Sequence, residues 1–415
     1  MAELFKALTL IDAKKILAQH IAARNEYEEA PLMESLGRLL AEDVLAKDDV
    51  PGFARSTMDG FALRAKDTFG ASESMPAYLS INGEVIMGEA PDGKLLIGQA
   101  WRIATGGMLP VGADAVVMVE HTEEMSTDLV LIHRAAAPGE NVIRPGEDVA
   151  AGTLVFPANH RLRAQDLGML SAVGVLQVKV LPRIRVAIVS TGDELVDPLT
   201  APAPGQVRDI NSYSLAGAVL ANGGKPCYYG IVKDNQEEME TVLTKALADN
   251  DIVLMSGGSS VGSRDLAATV LASLGQPGVL FHGVSMKPGK PALGAVVDGK
   301  PVFGLPGHPA SAMVVFDQII APLIRQGGYG SNDEDIVRDF TAQAEITRNM
   351  PSAAGREDFI RVKLYWRDNK LYAEPVLGKS GLIRTMAAAD GIAYIPAGKE
   401  GVEAGEQVRV KYFER

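Results

Sequence analysis

Apolar and polar residues change their spacing several times along the chain, and each change predicts a different kind of element. Residues 9–22 place Thr9 three positions before Asp12 and repeat apolar residues through Ile16, Leu17 and Ile21, which predicts a capped amphipathic helix. A second, short helical pattern runs from Leu32 to Val44 around Leu36, Leu39 and Leu40. From Asp48 to Arg144 the apolar segments shorten and are broken by Gly and Pro, as in 77–81, 115–119 and 129–132, and an all-β module is expected. Helical spacing returns at 163–172. A β-rich domain at 48–146, inserted into a helical one, would make 1–47 and 147–181 a single discontinuous N-terminal domain.

From Pro182 strand and helix alternate, the mark of βαβ units and a mostly parallel sheet. Strands are predicted at 185–189, 228–232, 252–255 and 301–304, and helices at 212–222, 237–249, 266–274 and 310–325. Gly327, Gly328 and Gly330 end this pattern. Beyond them, 359–365, 392–395 and 407–413 alternate apolar with polar residues, as in a small β-barrel. The fold class expected is therefore multidomain α/β: a central three-layer α/β domain at 182–326, the inserted β-rich domain, the discontinuous helical domain and a barrel-like domain at 327–415.

Composition narrows the function classes. A length of 415 residues exceeds one core, and 47% hydrophobic residues describe a globular chain. The net charge of −12 would repel polyanions such as DNA, so no nucleic-acid partner is expected, although a small anion remains compatible with local Lys and Arg. The single cysteine, Cys227, excludes an intrachain disulfide and a thiolate-rich metal site. The first residues lack a secretory leader pattern and no apolar run nears the roughly 18 residues of a membrane span, so a cytoplasmic protein without a membrane partner is expected.

Ligands of open parallel sheets bind at the carboxyl ends of the strands. Here those ends read Ser190-Thr191-Gly192-Asp193-Glu194, Lys233-Asp234, Ser256-Gly257-Gly258-Ser259-Ser260 and Leu305-Pro306-Gly307-His308. Glycines let a turn bring its N–H groups close to a phosphate, and a plain tight strand-to-helix turn is the alternative. Asp265, following the third of these turns, would repel a phosphate unless a divalent cation intervened, so Asp265 and Glu194 suggest a shared Mg²⁺. Glu194 could instead complement a helix dipole, and His308 could be a polar loop residue. Lys287 and Lys290, held three apart across Pro-Gly, suit an oxyanion clamp or a solvated turn. Arg356, Arg361, Ser380 and Arg384 could add anion contacts. Two loops of the β module, 51–61 with Asp59 and 104–110, look ligand-facing.

Taken in order, Ser56-Thr-Met-Asp-Gly-Phe-Ala62, Ala104-Thr-Gly-Gly107, Arg144-Pro-Gly-Glu-Asp148, Ser190-Thr-Gly-Asp-Glu-Leu195, 256–262 with Asp265, Lys287-Pro-Gly-Lys-Pro291 and Gly304-Leu-Pro-Gly-His-Pro309 resemble the molybdopterin molybdenumtransferase (MoeA) family, whose eukaryotic relative is the gephyrin E domain. The resemblance implies four domains, a head-to-tail homodimer with a site shared between subunits, and insertion of molybdate into adenylylated molybdopterin with release of AMP. It places Mg²⁺ at Glu194 and Asp265, and molybdate at Lys287, Lys290, Arg356 and Ser380. Thr191, Gly192, Ser256, Gly257, Gly258, Ser259, Ser260 and Gly307 would cradle the cofactor, with Thr105, Asp148 and Asp234 as further binding positions. Asp59, Glu194, Asp265, Lys287 and Lys290 would be catalytic. A molybdopterin adenylyltransferase and molybdoenzyme maturation proteins are the partners implied. His308, Ser259 and Arg264 depart from the family pattern. Two other readings share the fold: a molybdopterin adenylyltransferase, which is usually a single βαβ domain, and a dimeric scaffold.

Overall fold

A computed structural model of the chain describes residues 7–22, 24, 26–257, 261–328 and 339–413, with the backbone alone for 261–265. The chain forms two compact units, Met1–Tyr27 with Leu181–Arg415, and Glu28–Val180.

The first unit is built on a six-stranded sheet in the order Lys225–Val232, Arg185–Thr191, Ile252–Ser256, Lys300–Leu305, Leu293–Val297, Pro277–His282. Its first four strands are parallel, and the last two run antiparallel to their neighbours. The apolar stretches of the central strands, 186–189, 252–255 and 301–303, bury both faces. Val186, Ile188, Leu254 and Phe303 meet Leu215 and Val219 of the helix Asn211–Ala221, while Ala187, Val189, Val253 and Met255 meet Met239, Leu243 and Leu271 of two helices opposite. That alternation makes three layers. The two antiparallel strands escaped the sequence pattern because Gly278 and Gly294 interrupt their apolar runs. Gly294 is needed there: a Cβ would lie 2.2 Å from the Phe281 ring.

Thr9 caps the helix Leu10–His20, its hydroxyl accepting from the Asp12 amide at 3.1 Å. This helix buries Leu10, Ala13 and Leu17 with Phe281 and Val296 of the α/β sheet. Residues 28–45, by contrast, pair with 154–180 in the other unit. The single helix expected at 310–325 contains a π-helical turn at Phe316–Ile320 between α-helical Pro309–Val315 and Ala321–Arg325. Pro322 accounts for it, because proline has no N–H for the regular ladder.

Beyond residue 339 a closed ring of five strands forms the expected barrel: Glu357–Arg367, Lys370–Pro375, Ala342–Ile346, Gln407–Tyr412 and Gly391–Ile395, which pairs back to the first. Val362, Ala373, Ile395 and Val410 fill it. A short strand, Met286–Lys287, joins the long first strand in parallel, opposing Lys287 to Asp358.

In the second unit, six strands pair in the order Ala115–Met118, Gly60–Leu63, Gln99–Ile103, Ala77–Glu84, Leu129–Ile132, Thr122–Ser126. Phe61 and Leu63 point to one apolar cluster and Ala62 to the other, the period of two expected of a strand. The helical pattern over 32–44 is not realised. A 3₁₀ turn, Leu32–Glu34, is followed by Gly37 at φ +74°, a left-handed residue that stops propagation. The helix Ala164–Ala172 does form, and its buried Asp166 gathers Arg163 and His160.

Candidate functional site

One cavity of about 1120 Å³ opens where the carboxyl ends of the parallel strands face the barrel strand Glu357–Arg367 and the loop 376–381. Thr191, Glu194, Ser256, Gly257, Lys287, Lys290, Gly307, Arg356 and Ser380 all line it, so nine predicted positions spread over 190 residues come together. Six lysines and arginines line it against three carboxylates, Glu194, Asp209 and Asp358. The excess is cationic within an acidic chain.

Backbone geometry requires the glycine at 257. Gly257 leaves its strand at φ +114°, where an alanine Cβ would sit 2.0 Å from the Thr191 carbonyl oxygen. A Cβ on Gly307 would lie 3.5 Å from the Gly257 Cα, an ordinary van der Waals contact, so the two turns touch there without excluding a side chain. At 257 and 307 the cavity is lined by backbone. Asn211 donates through Nδ2 to the Gly307 carbonyl at 2.9 Å, and the Oγ of Ser380 lies 2.9 Å from His308 Nδ1. His308 thus serves as the contact between the α/β loop and the barrel loop.

The cations differ in their partners. Arg356 binds Asp358 through two hydrogen bonds, Nε to Oδ1 at 2.7 Å and Nη2 to Oδ2 at 3.1 Å. Lys287 lies 4.0 Å from the same carboxylate. Arg361 instead donates to neutral acceptors, Thr385 Oγ1 at 2.8 Å and the Gly378 carbonyl at 2.9 Å, and burial lowers its pKa. Asp358 carried no sequence signal. Neither did Asp209, which is buried and accepts from Ser190 Oγ at 2.6 Å, Tyr228 Oη at 3.1 Å and the Ser212 amide at 3.1 Å. Burial first and Asp209 second push the Tyr228 phenol up to about 12.

Gly192 is buried in the turn, where its hydrogen faces the Glu194 carboxylate. Asp234 follows the neighbouring strand Lys225–Val232, outside the cavity lining, and its amide donates to Asp193 Oδ1 at 3.4 Å. Burial, then the charges of Asp193 and Glu194, raise its pKa. Gly258, Ser259 and Ser260 lie outside the described residues, as does the side chain of Asp265, whose backbone belongs to the helix Val261–Leu274. In the second unit, Asp59 Oδ1 accepts from both the amide and the hydroxyl of Thr105, at 2.6 and 2.9 Å. These bonds, the amide foremost, hold the Asp59 carboxyl below its usual range. Asp148 is exposed, and its amide donates to the Val50 carbonyl at 3.0 Å.

An α/β sheet with a basic cavity over glycine-rich strand ends, walled by a five-stranded barrel, is an arrangement suited to small anionic ligands. Residues 8–174 match the family profile described as "MoeA N-terminal region (domain I and II)", 187–326 that of a "Probable molybdopterin binding domain", and 343–413 "MoeA C-terminal region (domain IV)". The chain belongs to the MoeA family. A molybdopterin molybdenumtransferase of Nostoc sp. is 37% identical, covering 95% of this chain and 90% of that protein. One from Bacillus subtilis is 32% identical, with 94% and 91% covered. The solved MoeA protein of Pyrococcus horikoshii superposes with a TM-score of 0.84 at 31% identity, covering 98% of this chain and all of that one. These relatives carry the name of a transferase of molybdenum cofactor biosynthesis.

Proposed function

We propose that the protein inserts molybdenum from molybdate into adenylylated molybdopterin, releasing AMP. The observation that carries this reading is the convergence of Lys287, Lys290, Arg356 and Ser380 on the cavity that the Ser256-Gly257 and Gly307 turns also line. Molybdate is a tetrahedral dianion, and ammonium, guanidinium and hydroxyl donors suit its oxygens. The pterin's dithiolene supplies the sulfur ligands, in keeping with a chain whose one cysteine lies outside the cavity lining. Backbone N–H groups of the glycine turns would receive the adenylate phosphates.

The donor set suits Mg²⁺ as an auxiliary rather than a caged ion. Among the described residues no three His, Cys, Asp or Glu side chains converge to enclose a metal. Mg²⁺ commonly takes one or two protein carboxylates and completes its shell with water and substrate phosphates. Glu194 and Asp265 would hold it, and when bound it would neutralise the phosphate being cleaved. The chain's own residues do the rest. Lys287, Lys290 and Arg356 hold the oxyanion, the loops keep the phosphate in reach, and a molybdate oxygen or a held water attacks phosphorus as AMP leaves.

We read the two units as four domains with boundaries near 47, 146, 181 and 326, and the protein as a cytoplasmic homodimer in which Asp59, Thr105 and Asp148 serve the partner's cavity. Separate apolar clusters around Leu40 and Leu170, around Phe61 and Ile132, and inside the barrel support the division, whereas Leu10, Leu17, Phe340 and Phe359 share the cluster of the α/β sheet. Among the described residues no helix is long and apolar enough to cross a membrane. A molybdopterin adenylyltransferase upstream and molybdoenzyme maturation proteins downstream fit a protein that consumes one intermediate and delivers another.

Incubating the protein with adenylylated molybdopterin, Mg²⁺ and molybdate should give molybdate-dependent AMP. Replacing Lys287 and Lys290 together by Ala should raise the molybdate concentration needed for half-maximal AMP release by about 10-fold or more, the loss expected of two charge-assisted contacts. AMP release indifferent to molybdate would refute the activity, and an unchanged molybdate requirement in the double variant would move the clamp elsewhere.

A further inference from the structure

We propose that Asp358 is the internal counter-ion of the oxyanion pocket, occupying the fork of Arg356 and facing Lys287, so that it sets the affinity and the charge preference for the anion bound there. This rests on the reading of the Lys287–Arg356 region as an oxyanion site.

The observations are geometric. Asp358 is 3% exposed, whereas the side chain of Lys287 is 58% exposed and that of Arg356 is 30% exposed. The two cations thus border the cavity and the carboxylate sits behind them. Its place is fixed by backbone pairing, since the strand Met286–Lys287 runs parallel to Glu357–Arg367 with Lys287 opposite Asp358, and the Glu357 amide donates to the Ser285 carbonyl at 3.0 Å. Two of the five N–H groups of Arg356 are spent on Asp358.

Two consequences follow from this arrangement. An arriving oxyanion that takes the Nε–Nη2 edge of Arg356 must displace Asp358 from it, whereas one bound at the Nη1–Nη2 end leaves that pair intact. The anion also meets a fixed negative charge behind the cations, and Coulomb repulsion grows with the charge of the ligand. Lys287 and Arg356 therefore present a net charge near +1 rather than +2 to the ligand. Such a pocket is partly neutralised when empty, and the carboxylate weakens its hold on a dianion. Arg361, whose hydrogen-bond acceptors among the described residues are neutral, shows the contrast within the same cavity.

The isosteric substitution Asp358→Asn removes the charge and keeps the shape. Binding would be measured by calorimetry at low salt with molybdate, a tetrahedral dianion, and perrhenate, a tetrahedral monoanion. Removing one buried carboxylate should tighten molybdate binding on the order of 10-fold and perrhenate on the order of 3-fold, because the monoanion feels half the repulsion. Weaker binding of both anions by the same factor would overturn the proposal, leaving Asp358 as a mere prop for Arg356. Wild-type protein that binds neither anion would bring down the pocket reading itself, and the counter-ion with it. Should the variant not fold, wild-type crystals soaked in tungstate decide the matter. The proposal expects tungstate to sit against Lys287 and Arg356 with the Asp358 carboxylate behind them, and a tungstate bound away from both cations would overturn it.

Discussion

At the scale of single residues, hydrogen-bond partners rather than residue types distinguish the charged groups. Asp59 and Thr105 lie 46 positions apart and meet through two bonds to one carboxylate oxygen. The amide contributes most to holding the Asp59 carboxyl down, and the hydroxyl adds to it. Thr105→Ala removes only the hydroxyl, so the Asp59 titration midpoint, followed by carboxyl-carbon NMR, should rise part of the way to an ordinary value. A midpoint that stays put would assign the whole effect to the amide. The motif containing Asp59 was legible as a candidate loop, because glycines beside apolar anchors mark a shaped turn. Its bond to Thr105 was not, because sequence does not say which loops touch.

Elements show a similar division. The glycines after the parallel strands could be read as sites of close backbone approach, and Gly257 demonstrates why: its φ and the Thr191 carbonyl leave no room for a Cβ. Gly257→Ala should destabilise the protein by roughly 3 kcal/mol, visible as a lower urea midpoint. A neutral result would mean that the turn relaxes freely. In the second unit, the helix Ala164–Ala172 is anchored by Asp166, whose carboxyl is held far below its usual range first by the Arg163 guanidinium, then by the Arg163 amide and the His160 ring, against the opposing effect of burial. A carboxylate with a depressed folded pKa contributes stability that is present above its unfolded pKa, near 3.9, and is lost as the pH falls through the folded value. Hydrogen-exchange protection of this helix should therefore fall as the pH drops below about 4, and the fall should be shallower in Asp166→Asn. Parallel slopes in both proteins would show that Asp166 is not the titrating anchor. The helical spacing that predicted this helix also suggested one at 32–44, where left-handed Gly37 overrides a pattern of leucines. Periodicity alone does not report such a stop.

For the whole molecule, the contrast of charge is the main feature. A chain of net charge −12 concentrates six cations around one cavity. Long-range steering of an anion would be unfavourable, so the local field must act at short range, within about 10 Å at 0.1 M salt. Asp59, Thr105 and Asp148 belong to the unit Glu28–Val180, and the cavity lies in the other. If they serve a partner's cavity, light scattering should give twice the mass of the 415-residue chain. A monomer under assay conditions that retains full activity would remove the shared site.

The sequence by itself determined the alternation of strand and helix from residue 185, the all-β character of the module from 60 to 132, the closing β region, and the loops that carry glycines, hydroxyls and cations. Those features are local, and spacing within a dozen residues encodes them. Tertiary structure alone decided which distant groups meet: the antiparallel strands 277–282 and 293–297 at the sheet edge, the helix Leu10–His20 against them, and the approach of 287–290 to 356–361. It also decided which cation has a counter-ion. Lys287, Arg356 and Arg361 look alike as letters, yet two share buried Asp358 and the third, among the described residues, donates to neutral acceptors. Charge pairing depends on register between strands some 70 residues apart, and pairing in turn sets what an oxyanion meets when it enters the cavity.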